Sequence, residues 1–151
     1  MKKIAVIENH YNVYLDRQNK VVIRFETDNH SVAIEDFEFY ERMSEETNCF
    51  VGNLVLDGQI VGECRNEGRG GCASYYAHKN WDLANEIEKC VSNIECYTFP
   101  KFKLNLYDII DGLVSIMLVF QENKVKTEKQ ALTISIELQK IADEYRCKYA
   151  K

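Results

Sequence analysis

Asn66-Glu67-Gly68-Arg69-Gly70-Gly71 is the stretch whose residue types and spacing come closest to a binding chemistry. Successive glycines can turn backbone N–H groups toward one point and so form an anion nest. Arg69 would add a planar fork suited to phosphate or carboxylate. Asn66 and Glu67 would orient a ribose or a base edge. Six of the seven glycines (Gly52, Gly58, Gly62, Gly68, Gly70 and Gly71) fall within one twenty-residue window. Glycine loses the most freedom on folding, so the cluster calls for positive φ or a close backbone approach. The stretch lacks the Lys-Ser/Thr pair of a Walker loop. It also lacks the parallel βαβ setting of a dinucleotide fingerprint. No cofactor is expected. The other reading of the same residues is a strained connection between strands, with Arg69 solvated or paired with Glu67.

The remaining reactive side chains are dispersed. Cys64, Cys72 and His78 lie near one another in sequence, and Cys49, Cys90, Cys96 and Cys147 complete the thiols. No Cys-x-x-Cys pair is present, so no metal site is expected. Cys72 beside glycine donors, with His78 as base, has the ingredients of a nucleophile but no third orienting group. No catalytic residue is assigned and the chain is expected not to be an enzyme. His10 and His30 show no metal-ligand spacing. Glu35, Asp36, Glu38, Glu41, Glu45 and Glu46 form an acidic run, which suits either a solvated face or a docking surface for a basic partner. Tyr75 and Tyr76 are candidate contact anchors, since tyrosine is enriched at interface hot spots. Trp81 is expected in the core.

Charge narrows the partners. The 151 residues carry 24 acids and 19 bases, a net −5. Between Glu26 and Glu46 eight acids face one base, Arg42. Such a surface repels phosphates, so direct nucleic-acid binding is not expected, whereas a basic protein groove would attract it. The N-terminus has no signal-peptide pattern, and the longest apolar run, Leu113 to Phe120, is too short to span a bilayer. A cytoplasmic protein with reduced cysteines and no membrane partner is expected.

The elements that must hold these groups are β first and α afterwards. Val13–Leu15, Val21–Thr27 and Val32–Tyr40 read as strands, with Phe37 and Phe39 on one face and Asp36 and Glu38 on the other. Cys49–Leu56 and Gln59–Arg65 flank Asp57-Gly58, a type I′ turn pair. A plain two-residue hairpin would set Val55 opposite Ile60, Leu54 opposite Val61 and Val51 opposite Cys64. Gly52 and Gly62 would thin neighbouring rungs, as at a bulge or a close backbone approach. Cys72–His78 is a further strand. Leu83, Ala84, Ile87, Cys90, Val91 and Ile94 form a helical stripe behind an Asn80 cap. A second helix, starting at Asn105 or Asp108 and ending near Asn123, is apolar nearly all round and should be buried. A third opens on the capping box Thr127-Glu128-Lys129-Gln130 and carries Ala131, Ile134, Leu138, Ile141, Ala142 and Tyr145 on one face. The expectation is one α+β domain over 1–151. Residues 1–79 are mainly β and 80–151 mainly α, with three helices on one face of an antiparallel sheet.

One segment carries a resemblance. The order Ser44-Glu45-Glu46-Thr47-Asn48-Cys49-Phe50, the Asp57-Gly58 hairpin and Asn66-Glu67-Gly68-Arg69-Gly70-Gly71-Cys72 resembles small uncharacterised proteins of phages and bacterial mobile elements. The resemblance covers about a fifth of the chain. It implies a phage or prophage setting, in which small acidic proteins block host defence. The expected function is therefore a non-enzymatic inhibitor of a bacterial defence effector, for example an anti-CRISPR-type inhibitor of a nuclease. Its partner would be a bacterial host protein with a basic surface, met in the cytoplasm. The alternative is a nucleotide or small-anion binding protein, a signal sponge or modest enzyme, using Asn66 to Gly71 with Arg69.

Overall fold

A computed structural model describes residues 1–150. Seven strands form one antiparallel meander: β1 (Lys2–Ile7), β2 (Tyr11–Leu15), β3 (Val21–Glu26), β4 (Ser31–Phe39), β5 (Phe50–Leu56), β6 (Gln59–Asn66) and β7 (Ser74–Tyr76). Every strand pairs with its sequence neighbours, which short connections favour. Three helices follow: α1 (Trp81–Val91), α2 (Leu106–Glu122) and α3 (Glu128–Tyr149). The α+β expectation holds.

The helices pack against the sheet. α2 lies across β3 and β4, α3 along β1, and α1 beside α2. Val13, Ile23, Phe25, Val32, Leu54 and Leu56 turn inward from the strands to meet Ile109, Ile110 and Leu113 of α2 in one core. α2 is buried over most of its surface because its residues are apolar on most sides. The caps form as read: Asn80 accepts from the Leu83 amide (3.0 Å), Asn105 from the Asp108 amide (2.8 Å), and Thr127 and Gln130 close a capping box.

The structure corrects the sequence reading in five places. β1 exists although no strand was expected at residues 2–7; Glu8 and Asn9, at φ 53° and 68°, make the turn to β2 without glycine. The β5–β6 register holds at Val55↔Ile60, but Leu54 then pairs with Gly62, Gly52 with Cys64 and Val51 with Arg65. Val61 is the extra residue of a β-bulge. It lets Val61, Cys64 and Asn66 all turn inward while Glu63 and Arg65 stay out. A second bulge sets Asp36 and Phe37 against Gly52 alone, with Asp36 at φ 50°. The inward positions on β4 therefore switch from Val32 and Ile34 to Phe37 and Phe39. The α3 stripe is only partly buried: Ala131 and Ala142 are covered, while Ile141 and Tyr145 remain about half exposed. Finally, Trp81 is the first residue of α1 and is 41% exposed, outside the core.

β3 and β4 pair only at Phe25↔Val32 and Glu26↔Ser31 and then diverge. That split sets β4–β7 apart as one continuous patch on the face that turns away from the inward core residues.

Candidate functional site

The patch is built by cross-strand register. Glu35 pairs with Asn53, Asn53 with Glu63, and Glu63 with Tyr76, so one row crosses four strands. The next row runs Glu38, Val51, Arg65 and Ser74. A third holds Ala33, Val55 and Ile60. Asp36 joins the first row by accepting from Asn53 Nδ2 at 3.0 Å. The side chains alternate with the inward core residues of the same strands, so they share the opposite face. Tyr76, Ile60 and Val51 are 55%, 43% and 38% exposed there. Around them stand Glu35, Asp36, Glu38 and Glu63, with Arg65 the one base in these rows. The patch thus sets exposed apolar side chains beside a net negative charge.

The acidic run is divided by the fold. Glu35, Asp36 and Glu38 reach the open sheet face, and Glu41 lies on a one-turn 3-10 helix just beyond β4. Glu45 and Glu46 turn instead toward α2, where they line a polar cleft of about 330 Å³ with Asn66, Gly71, Asp111 and Ser115. Tyr75 and Tyr76 also separate. Tyr76 stays on the open face, stacked on His78 at 5.0 Å. Tyr75 packs against Tyr107 (4.9 Å) and donates to Glu88 Oε2 (3.2 Å) on the helical side. Burial and the neighbouring Glu88 carboxylate push the Tyr75 hydroxyl pKa upward, so it remains a donor.

The glycine loop is tied by hydrogen bonds within itself and to residues 45–47. The Gly68 amide donates to Asn66 Oδ1 (2.8 Å), and the Thr47 hydroxyl donates to the same oxygen (2.7 Å). The Gly70 amide donates to Thr47 Oγ1 (3.3 Å), and Asn66 Nδ2 donates to the Gly71 carbonyl (3.3 Å). The Gly68 carbonyl accepts from the amides of Glu45 (3.0 Å), Glu46 (2.9 Å) and Thr47 (3.4 Å). A Cβ on Gly68 would lie 2.2 Å from the Met43 carbonyl oxygen, and φ is +83°. Glycine is therefore required to knit the loop onto residues 43–47. Two of the donors expected to form a nest, the Gly68 and Gly70 amides, are used internally, the adjoining cleft is lined by Glu45, Glu46 and Asp111, and Arg69 and Glu67 are exposed.

A cavity of about 540 Å³ lies elsewhere, between the β1–β2 turn, α2, α3 and residues 95–99. The sequence assigned no binding role to this set of residues, although His10 and the α3 stripe from Leu138 to Tyr145 lie in its lining. Glu8 is largely buried there, and desolvation pushes its carboxyl pKa upward. Partial burial acts in the same direction on Asp108. Tyr11 lies beneath, its hydroxyl pKa raised by burial first and by Glu8 and Asp108 among nearby charges. The signals were a lone glycine, Gly112, inside an apolar helix and a lone acid, Glu8, after an apolar run.

The raised Glu8 carboxyl has a consequence for stability. The fold disfavours its charged form relative to the unfolded chain, so the native state holds the proton to higher pH. Its share of stability is complete below the unfolded carboxylate range and declines as pH rises through the folded value. Glu8→Gln is expected to raise Tm at neutral pH and to leave it unchanged in acid, where both residues are neutral. Thermal melts at the two pH values check this.

No protein-family model, no curated protein and no solved structure matches the chain. Among the described residues, no helix is long and apolar enough to cross a membrane.

Proposed function

We propose that the protein is a non-enzymatic binding protein whose open β4–β7 face docks a basic protein surface. The observation that carries this reading is the Glu35–Asn53–Glu63–Tyr76 row beside Glu38 and Val51. Carboxylates supply steering, and the exposed Tyr76, Val51 and Ile60 supply the apolar anchors. The resemblance of residues 44–72 to phage and mobile-element proteins directs the proposal to a bacterial defence effector. A guide-loaded CRISPR nuclease fits the chemistry, because its nucleic-acid channel is positively charged. The reading places the protein in the cytoplasm of a bacterial host.

DNA cleavage by a panel of CRISPR nucleases, with and without the protein, tests the proposal. Stoichiometric inhibition of at least one nuclease is expected. Inhibition of none, with no basic protein bound more tightly by the wild type than by a charge-reversed face, overturns it.

The anion alternative leads to a separate expectation. Because Asn66 and Thr47 occupy the Gly68 and Gly70 amides, millimolar phosphate or nucleotide should leave Tm unchanged, in the wild type and in Arg69→Ala alike. A ligand-dependent rise in the wild type that Arg69→Ala removes would favour the anion reading.

A further inference from the structure

The cavity between α2 and α3 is unusual in how it combines apolar walls with uncompensated charge. Its volume, about 540 Å³, lies within the range of small-molecule sites. Phe25, Tyr97, Leu104, Ile116, Val119 and Leu138 contribute to its walls. Phe99, Ile141 and Tyr145 belong to its lining and are 40%, 50% and 47% exposed. Tyr149 extends this aromatic rim, 4.6 Å from Phe99 and stacked on Tyr145 at 6.1 Å. Large apolar side chains left open at a cavity mouth mark a surface that another apolar body covers.

The polar groups are few and mostly of one sign. Glu8 enters from the β1–β2 turn and Asp108 from the first turn of α2. Neither carboxylate has an ion-pair or hydrogen-bond partner among the described residues. The two hydrogen bonds at these residues involve their backbone amides: the Glu8 amide donates to Gln139 Oε1 (2.7 Å) and the Asp108 amide to Asn105 Oδ1. Glu95, a third lining carboxylate, is already paired with Arg146 at 3.0 Å. His10 is turned toward the Glu26 carbonyl at 3.2 Å. The Tyr11 ring reaches α2 only because residue 112 is glycine, where an added Cβ would lie 2.2 Å from Tyr11 Oη. Tyr11 thereby forms a floor within the field of Glu8 and Asp108.

We propose that this cavity binds a small amphiphilic amine, with its aromatic or aliphatic body among the apolar walls and one ammonium group held by Glu8 and Asp108. An ammonium ion supplies the counter-charge these carboxylates lack, and aromatic faces add cation–π attraction. An organic acid of the same shape would be repelled. A neutral molecule would fill the walls but leave the half-buried Glu8 carboxylate without a counter-charge.

Three isosteric probes separate these cases: 4-phenylbutylamine, 4-phenylbutanol and 4-phenylbutyrate, each titrated into the full chain and followed by calorimetry and amide NMR. The amine is expected to bind, with shifts concentrated at Glu8, Tyr11, Gly112 and Ser115. The alcohol should bind about tenfold more weakly and the acid not at all. Glu8→Gln should weaken the amine by about tenfold and leave the alcohol unchanged. Ala142→Phe, which fills the cavity, should abolish both, with circular dichroism confirming the fold. The inference is overturned if the acid binds as well as the amine, if none binds, if the shifts map to the β4–β7 face, or if Glu8→Gln together with Asp108→Asn leaves amine affinity intact.

Discussion

Gly62→Ala is expected to destabilise the protein by about 3 kcal/mol or more, enough to unfold a domain of ordinary stability under mild denaturant. The added Cβ would sit 1.8 Å from the Tyr76 carbonyl oxygen, 2.9 Å from its carbonyl carbon and 3.1 Å from the Ala77 Cα. These are backbone atoms, so no side-chain rotation relieves the contact. Overpacking a closed interior typically costs about 1–3 kcal/mol even where side chains can adjust. Here β7 must leave β6, and the Glu63↔Tyr76, Cys64↔Tyr75 and Arg65↔Ser74 rungs go with it. Tyr75 of β7, which packs on both Trp81 and Tyr107, loses its place between them. Urea denaturation of wild type and variant measures the effect. A loss below about 1 kcal/mol, the scale of an exposed strand substitution, would mean that β7 does not lie where the structure places it.

The second large effect concerns binding. Glu35→Lys, Glu38→Lys and Glu63→Lys together replace three carboxylates on one sheet face with three ammonium groups. All three are exposed, and no hydrogen bond or ion pair of their own holds the fold apart from Tyr40 Oη donating to Glu38 Oε2 at 2.5 Å. Each unmatched like charge facing a basic surface costs affinity and slows encounter. A loss of about 100-fold or more in affinity for an inhibited effector is expected. Tm should move little, because surface substitutions usually stay within about 0.5 kcal/mol. Titration calorimetry paired with a thermal melt separates the two quantities. Unchanged affinity in a folded triple variant would remove the sheet face from the account.

How much of this could be read in advance follows from how local each feature is. The Asp57-Gly58 turn, the Asn80 and Asn105 caps and the Thr127–Gln130 box are interactions within four residues, so residue identity alone encodes them. Gly62 was legible as a strand glycine that yields to another backbone, and Tyr76 is that backbone. Gly52 and Gly62 marked the rungs where a bulge or a close backbone approach was expected, but not which residues are inserted there, Val61 beside Gly62 and the Asp36–Phe37 pair opposite Gly52. β1 was hidden by Lys2 and Lys3 and by a turn without glycine. The division of the acidic run depended on how the chain wraps back from Met43 to Gly68. The apolar cavity was least accessible, since Glu8 of the β1–β2 turn, Tyr11 of β2, Asp108 and Gly112 of α2 and Leu138 of α3 meet only in the folded chain.

Docking through the open face of β4–β7 depends on its charge, and salt reads that dependence directly. Affinity for an inhibited effector should be measured from about 50 to 500 mM NaCl, for wild type and for the Glu35, Glu38 and Glu63 lysine variant, since screening is strong across that range. Wild-type affinity should fall steeply with rising salt, and the variant should bind weakly with a salt-insensitive or inverted response. A wild-type affinity that stays flat across the range, or two parallel curves, would rule out charge-driven docking at this face.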